Sequence, residues 1–506
     1  MFNNLRCSLK RNRIQAMVSV LYASITLLFG RVTAEYRIDD AFITYRYSWN
    51  LAHHGEFVYN LGERVLSTTS PLNALMLTPI AMVCERSQLP IFARAMSLSF
   101  AFLTALTAYL FVSRREGTYW GLCLSVPFIT LSYVYNYAGL ETNLFVCLVI
   151  FAILTFVSER YFVSGLLSAF AFLARGDSAL LLMIFSVYLY LFETEKPLRA
   201  TLMRMVKGAA IVALPWFLFA YLYFGALFPS TLATKIFYGR TRMFAWTMLE
   251  AMIAYWGPDM LSRFRALNIF TFVLSASFIL YVAGHLCRKR RKFERETLSL
   301  FFLVCFGFLQ ASTYALLGVG HTPWYSVPLL LACVLGTVGA FLTLAKKGMG
   351  SGSRALHRMT SLTGKVLGGA MVSVVILVNL SQTLVPPPWT GSLEDTYIAV
   401  AQLLNENTAV TDIVGLGETG IIGYYLDRKV FDYYGVISPS WIAEFSKQFP
   451  NEWWRPMQYA LDKNKPQYVV GRYPFYSFDT FEAAYEPIVL FDPNYADWKL
   501  AIYKQR

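Results

Sequence analysis

The chain has 506 residues, of which 56% are hydrophobic, 16% aromatic and 15% charged, against roughly 25% charged in soluble globular domains. That excludes an ordinary soluble protein; 40 Phe and 32 Tyr exclude disorder, while 31 Gly and 20 Pro are too few for a collagen-like or low-complexity chain. A net charge of +13 would point to nucleic acid if spread over one soluble face, so its placement decides its meaning.

Apolar runs that reach or approach the length needed to cross about 30 Å of hydrocarbon lie at 14–34, 91–112, 119–137, 143–158, 161–174, 178–192, 208–224, 266–286, 297–318, 323–345 and 366–385. The chain therefore reads as a polytopic α-helical membrane protein with about 11 transmembrane helices. The first run follows basic residues, as in a signal peptide, but no small-residue cleavage site follows it, and it is kept as a span. The run at 71–84 begins at Pro71 and is too short to cross, so it reads as a helix lying along the outer surface.

Lys and Arg gather in alternate loops: Arg6 to Arg13, Arg114 and Arg115, Arg160, Lys196 to Lys207, Arg288 to Arg295, and Lys346 to Lys365. These segments carry 22 of the 44 basic residues and six acids, leaving the rest of the chain at −3. Basic loops beside spans stay cytoplasmic. The basicity is thus a topology signal and not a nucleic-acid footprint, and the N-terminus is assigned to the cytoplasm. Three long outer segments follow, 35–90, 225–265 and 386–506. The seven cysteines form no CxxC pair and fall mostly in apolar runs, where they read as small buried hydrophobes.

The last outer segment leaves the membrane through Pro386, Pro387, Pro388 and Trp389 and changes composition. An amphipathic stretch at 393–405, an apolar run from Ile413 to Leu416, the helix-like ETGIIGYYL, the strand-like KVFDYYGVI, then PQYVVG, PIVLF and WKLAIY predict a small α/β domain. Its Gly415 and Gly417 precede no lysine as a phosphate-binding P-loop would. It is expected to cover a membrane cavity, while most of its aromatics form core.

Chemistry is expected where ionisable groups crowd an outer membrane face. EYRIDDAFITYR places Asp39 and Asp40 directly after a span, where acids are costly unless paired, hydrated or useful. In a helical turn they diverge by about 100°, so only one faces a given site. A helix N-terminus favoured by its own acids is the structural alternative.

These residues carry a resemblance. RIDDAFITYRYSWNLAHHGEFVYNLGERVLSTTSPLNALML resembles the first outer loop of GT-C superfamily glycosyltransferases that use polyprenyl-phosphate sugars, among them protein mannosyltransferases, lipid A aminoarabinose transferase and a mycobacterial arabinofuranosyltransferase. YAGLETNLF, ARGDSALLL, YFGALFPSTLATK, HTPWYSVPLL and GLGETGIIGYYLDRKVFDYYG are similar to further stretches of that family, in order. Gly176 stands where Pro is usual and Ser230 where Asn is usual.

The resemblance implies a GT-C-like catalytic domain over 1–385, a soluble periplasmic domain over 386–506, and transfer of a sugar from a polyprenyl-phosphate donor to a hydroxyl of a cell-envelope glycan, lipid or protein. Asp39 is implied as general base and Asp40 as its supporting acid. Lys235, Arg240, Arg175 and His321 are implied at the donor phosphate, with Arg242 close by. Arg46, Glu141, Asp177, Trp324 and Tyr325 are implied at the substrates. Each has a structural alternative: snorkelling cations for Lys235, Arg240 and Arg242, a membrane-edge ion pair for Arg175 and Asp177, a hydrogen-bonded His321, a helix-capping Glu141. No cofactor is expected, and no ligand spacing indicates a divalent metal. The other functional class is a multispan lipid-sugar transporter or flippase, which would place ionisable or helix-breaking residues at mid-span. The one N-x-S/T sequon, Asn379-Leu380-Ser381, lies inside a predicted span, so the expected location is a bacterial inner membrane with the site facing the periplasm.

Overall fold

A computed structural model describes residues 2–193, 196–229, 231–240, 265–289, 293–347, 354–384, 392–437, 452, 454–475, 479–492 and 499–506. In chain order the helices are α1 (Phe2–Val32), α2 (Asp39–His54), α3 (Pro71–Ala81), α4 (Leu89–Ser125), α5 (Pro127–Thr130), α6 (Tyr133–Asn136), α7 (Thr142–Val157), α8 (Tyr161–Ala174), α9 (Ala179–Phe192), α10 (Leu198–Phe224), α11 (Thr231–Arg240), α12 (Arg265–Lys289), α13 (Arg295–Leu317), α14 (Val327–Lys347) and α15 (Arg354–Leu384). Every predicted span is mainly helical, but they are not equivalent. Among the described residues, seven helical stretches are long and apolar enough to cross a membrane. The runs at 91–112 and 119–137 belong to one such stretch, Leu89–Asn136, broken at Gly117, whose φ of 81° only glycine adopts without strain. The runs at 143–158, 161–174 and 178–192 form the short helices α7, α8 and α9. Length and composition therefore do not establish the count of eleven.

Short apolar helices hold together where small residues let backbones touch, because lipid supplies no hydrophobic drive between them. Helices α8 and α10 show this directly. A Cβ added at Gly165 would lie 1.9 Å from the Met205 carbonyl oxygen, and one at Gly208 would lie 2.0 Å from that of Phe162. The short apolar run at 71–84 forms the helix α3, which packs on α2 through Ala74 and Leu77, and Ser48 Oγ donates to the Ala74 carbonyl at 2.9 Å.

The tail folds as α16 (Ser392–Asn407), β1 (Ile413–Leu416), α17 (Ile421–Tyr425), β2 (Lys429–Asp432), α18 (Trp454–Asn464), β3 (Tyr468–Tyr473), α19 (Asp479–Ala484), β4 (Tyr485–Phe491) and β5 (Lys499–Gln505). Its five strands lie in the order β2-β1-β3-β5-β4. β1 is parallel to both neighbours, with Gly415 opposite Phe431 and Val469, and β5 is antiparallel to β3 and β4. The small α/β unit expected from the sequence is therefore present.

The tail is not a bead on a string. One hydrophobic cluster runs from Phe42, Leu77 and Trp216 in the membrane part to Val400, Leu416 and Ile422 in the tail. Inside it the Tyr424 ring stands 5.6 Å from that of Phe42 and 6.1 Å from that of Tyr45. Gly208→Ala should lower the thermal midpoint of the purified protein, since overpacking costs about 1–3 kcal/mol. Gly284→Ala, where a Cβ meets nothing within 4 Å, should hold or raise it; equal midpoints for the two variants would contradict the close α8–α10 contact.

Candidate active site

Ile38 is extended, with φ −126° and ψ 124°, and α2 begins at Asp39. The two adjacent acids therefore occupy one helical turn and point into different surroundings. Asp39 faces the tail. The Gly420 and Ile421 amides donate to its two carboxylate oxygens at 2.8 and 2.7 Å, and a Cβ on Gly420 would sit 1.8 Å from the Asp39 carbonyl oxygen. Enclosure and the nearby Glu418 and Asp40 push the Asp39 carboxyl up to about 8, while the two amides pull the other way.

Asp40 faces a cleft of roughly 460 Å³ lined by Thr68, Glu141, Thr231, Lys235, Trp324 and Tyr325, among others. Among the described residues the Asp40 carboxylate has no hydrogen-bond or ion-pair partner. Lys235 projects from α11 into the same cleft. Its ammonium donates to the Tyr325 hydroxyl and lies 4.8 Å from that ring's centre. Burial opposes its charge, but Tyr325, Asp40 and Glu141 hold its pKa above the ordinary lysine value. Glu141 lines the cleft and is 6% exposed. Burial raises its pKa against the pull of Arg175 and Lys235. Its side chain makes no capping bond to α7, so the helix-capping alternative is not what the structure shows.

Arg175 and Asp177 stand one layer behind. Arg175 Nη2 meets Asp177 Oδ2 at 2.7 Å, and that oxygen also accepts from Tyr314 at 3.1 Å and Gln310 at 3.2 Å. The network then grips the turn that carries the aromatics: Arg175 Nη1 donates to the Trp324 carbonyl at 3.0 Å, and Gln310 to that of Tyr325 at 3.1 Å. Arg175 and Asp177 thus fix Trp324 and Tyr325, and neither is among the cleft-lining residues.

Three expected contacts fall elsewhere. Arg46 is 6% exposed and is spent on carbonyls: Nε donates to Tyr59 at 2.8 Å, Nη1 to Gly423 and to Leu426 at 3.2 Å, and Nη2 to Arg428 at 3.1 Å. It clamps the tail and does not reach the cleft. Arg240 is exposed at the end of α11, and His321 bonds Ser326 Oγ at 2.8 Å through Nε2. Burial lowers the His321 pKa to about 4, so it is neutral near pH 7 and gives no charge to a phosphate. Arg242, Ser230 and most of the 225–265 segment lie outside the described residues.

Sequence reasoning missed the hydroxyls. Ser67, Thr68 and Thr69 line the cleft from the turn before α3, and Thr231, which also lines it, has a buried Oγ1 with no partner among the described residues. The run Ser67-Thr68-Thr69-Ser70 ahead of Pro71 was the available signal, since Pro marks a helix start and the first turn of a helix has amides with no intrahelical partner, beside which hydroxyl residues gather. Among the described residues one acid group, Glu116, Glu294 and Glu296, has cation-ligand spacing. It lies away from the cleft, and the Lys346 ammonium sits on Glu116 and Glu294.

Residues 389–503 match a family described as a Domain of unknown function (DUF8728). A search of the curated proteins finds no match. Solved structures are similar over nearly the whole chain. ArnT from Cupriavidus metallidurans bound to undecaprenyl phosphate superimposes with a TM-score of 0.54 at 13% identity, covering 96% of this chain and 97% of that one. AglB, an archaeal oligosaccharyltransferase from Archaeoglobus fulgidus in complex with an inhibitory peptide and a dolichol-phosphate, gives 0.55 at 10% identity, covering 89% and 69%. At such identities the likeness shows the fold, and that fold is the GT-C fold expected from the first outer loop.

The Asp39 contact carries a sign. Enclosure against the tail raises its carboxyl from the ordinary aspartate value of 3.8 to about 8. Its contribution to docking is therefore complete below about 4 and is lost as pH rises through about 8. Between pH 5 and 8 the thermal midpoint of the wild type should fall relative to that of Asp39→Asn; parallel curves would contradict the assignment.

Proposed function

We propose that this chain is a membrane glycosyltransferase that moves a sugar from a polyprenyl-phosphate donor to an acceptor hydroxyl at the outer face of an inner membrane. One observation supports this above the others: the unpartnered carboxylate of Asp40 shares a cleft with the buried ammonium of Lys235. The fold it sits in is shared with proteins solved with undecaprenyl phosphate or a dolichol-phosphate. The acceptor oxygen forms a bond to the anomeric carbon as the bond from that carbon to the phosphate oxygen breaks. The hydroxyl proton passes to Asp40, and the electron pair leaves with the polyprenyl phosphate.

Lys235 neutralises the charge that develops on the leaving phosphate, and Thr231 and Thr68 offer it hydroxyl donors. Tyr325 orients the ammonium, and Arg175 with Asp177 orients Tyr325. Asp40 replaces Asp39 as the base in this reading, because Asp39 already accepts two amides. Asp39 is a positioning residue. Glu141 balances Lys235 beside the phosphate path and Arg175 behind it, and contacts the bound sugar. The tail-bearing face of the membrane part is the outer one.

The test is polyprenyl phosphate release by purified full-length protein supplied with a panel of radiolabelled polyprenyl-phosphate sugars. Asp40→Asn should lower transfer by about 10²–10⁴-fold and Lys235→Ala by about 10²–10³-fold, with Asp39→Asn less affected than either. Near-normal turnover by Asp40→Asn would remove the base assignment, and substrate translocation into vesicles without bond cleavage would replace the transferase with a transporter.

A further inference from the structure

Three carboxylates meet at the end of the bundle away from the tail. Leu89, at the start of α4, packs in the apolar cluster shared with the tail, and Glu116 follows along the same helix, roughly 40 Å away at about 1.5 Å per residue. Glu116 immediately precedes Gly117, where that helix breaks. Glu294 is the residue before α13, and Glu296 sits in its first turn. One carboxylate oxygen from each acid lies within 4.8 Å of the other two.

The dipole of α13 favours an acid in its first turn, but it does not account for the burial of Glu296. That side chain is 3% exposed, and its Oε2 has no hydrogen-bond partner among the described residues. Its Oε1 meets Arg115 at 3.7 Å, and Arg115 is itself 54% exposed. A buried carboxylate oxygen without donors is costly, and two further acids beside it add repulsion. Lys346 relieves part of this. Its ammonium, carried near the end of α14, sits on Glu116 and Glu294, while the orphaned oxygen of Glu296 stays unserved. A positive charge is thus already held among the acids, on a flexible four-carbon stem that can swing aside.

We infer that Glu116, Glu294 and Glu296 form a site for a hard divalent cation of the Mg²⁺ type, entered when Lys346 withdraws. Oxygens that share one such ion, each about 2.0–2.6 Å from it, lie at most roughly 4–5 Å apart, and the spacing of the three acids meets that limit. The donor set is all carboxylate, which suits Mg²⁺, Mn²⁺ and Ca²⁺, whereas zinc and copper favour nitrogen or sulfur. Glu294 is exposed, so the solvent side stays open for the waters that Mg²⁺ keeps. The bound ion ties α4 at its break to the start of α13. This goes beyond the transferase reading, since none of the three acids lines the cleft.

The probe is Mn²⁺, titrated into the full-length protein in an uncharged detergent, with the free ion read from its EPR signal and no sugar donor present. The wild type should bind Mn²⁺, and Mg²⁺ should displace it. Glu296→Gln should weaken that binding about tenfold or more, and Lys346→Met should tighten it about threefold or more, because a competing cation is gone. Mg²⁺ should also raise the thermal midpoint of the wild type and leave that of Glu296→Gln in place. If Glu296→Gln does not fold, Glu294→Gln, at an exposed position, carries the same expectation. Asp40→Asn should bind as the wild type does, which separates this site from the cleft. No Mn²⁺ binding by the wild type, unchanged binding in a folded Glu296→Gln or Glu294→Gln, unchanged or weaker binding in Lys346→Met, or loss of the ion in Asp40→Asn would overturn the site.

Discussion

The carboxylate of Asp39 on the Gly420 and Ile421 amides is the contact on which the rest of the architecture depends. It joins the first residue of a helix beside the membrane to the first turn of a helix in the tail, across 381 positions of sequence. Gly420 has no Cβ, and none would fit, so the two backbones themselves touch. Around this point Arg46 gathers the carbonyls of Gly423, Leu426 and Arg428, and the apolar cluster of Phe42, Tyr45 and Tyr424 fills the space beneath. Directional bonds set the register of docking, and burial holds it. Loss of a buried charged donor such as Arg46 leaves several carbonyls unpaired, at about 1–3 kcal/mol for each that stays unsatisfied.

That contact divides the labour of two adjacent acids. Because residues in one helical turn diverge, committing Asp39 to the tail turns Asp40 to the cleft, where Lys235 and the hydroxyls of Thr68 and Thr231 converge. A second layer serves the same end from the opposite wall. Asp177 collects Arg175, Gln310 and Tyr314, and through them the turn of Trp324 and Tyr325 is held against Lys235. Low-dielectric surroundings strengthen each of these interactions and make any unpaired group costly, which is why cations and carboxylates alternate through the site.

Much of this was legible in the sequence. The apolar runs are helices, and the tail strands fall where alternation and β-branched residues put them, as at Tyr468–Tyr473. Asp40, Glu141, Lys235, Trp324 and Tyr325 do share one cleft. What stayed hidden were partners distant in sequence. Nothing in IDDAF says which acid meets a glycine amide near residue 420, so the direction of Asp39 and Asp40 was open. Arg46 reads as a substrate cation until the carbonyls it binds are known, and His321 reads as a cation until its burial is known. Gly117 reads as a loop between two spans, and only its φ shows a break inside one apolar stretch.

The central claim is the division between Asp39 and Asp40, and amide hydrogen exchange reads it without knowledge of any substrate. In the full-length protein the peptide that contains Gly420 and Ile421 should exchange slowly. In Asp39→Ala it should lose at least tenfold of its protection while peptides in β5 keep theirs, and in Asp40→Ala it should match the wild type. Equal deprotection by both variants, or by Asp40→Ala alone, would contradict the account.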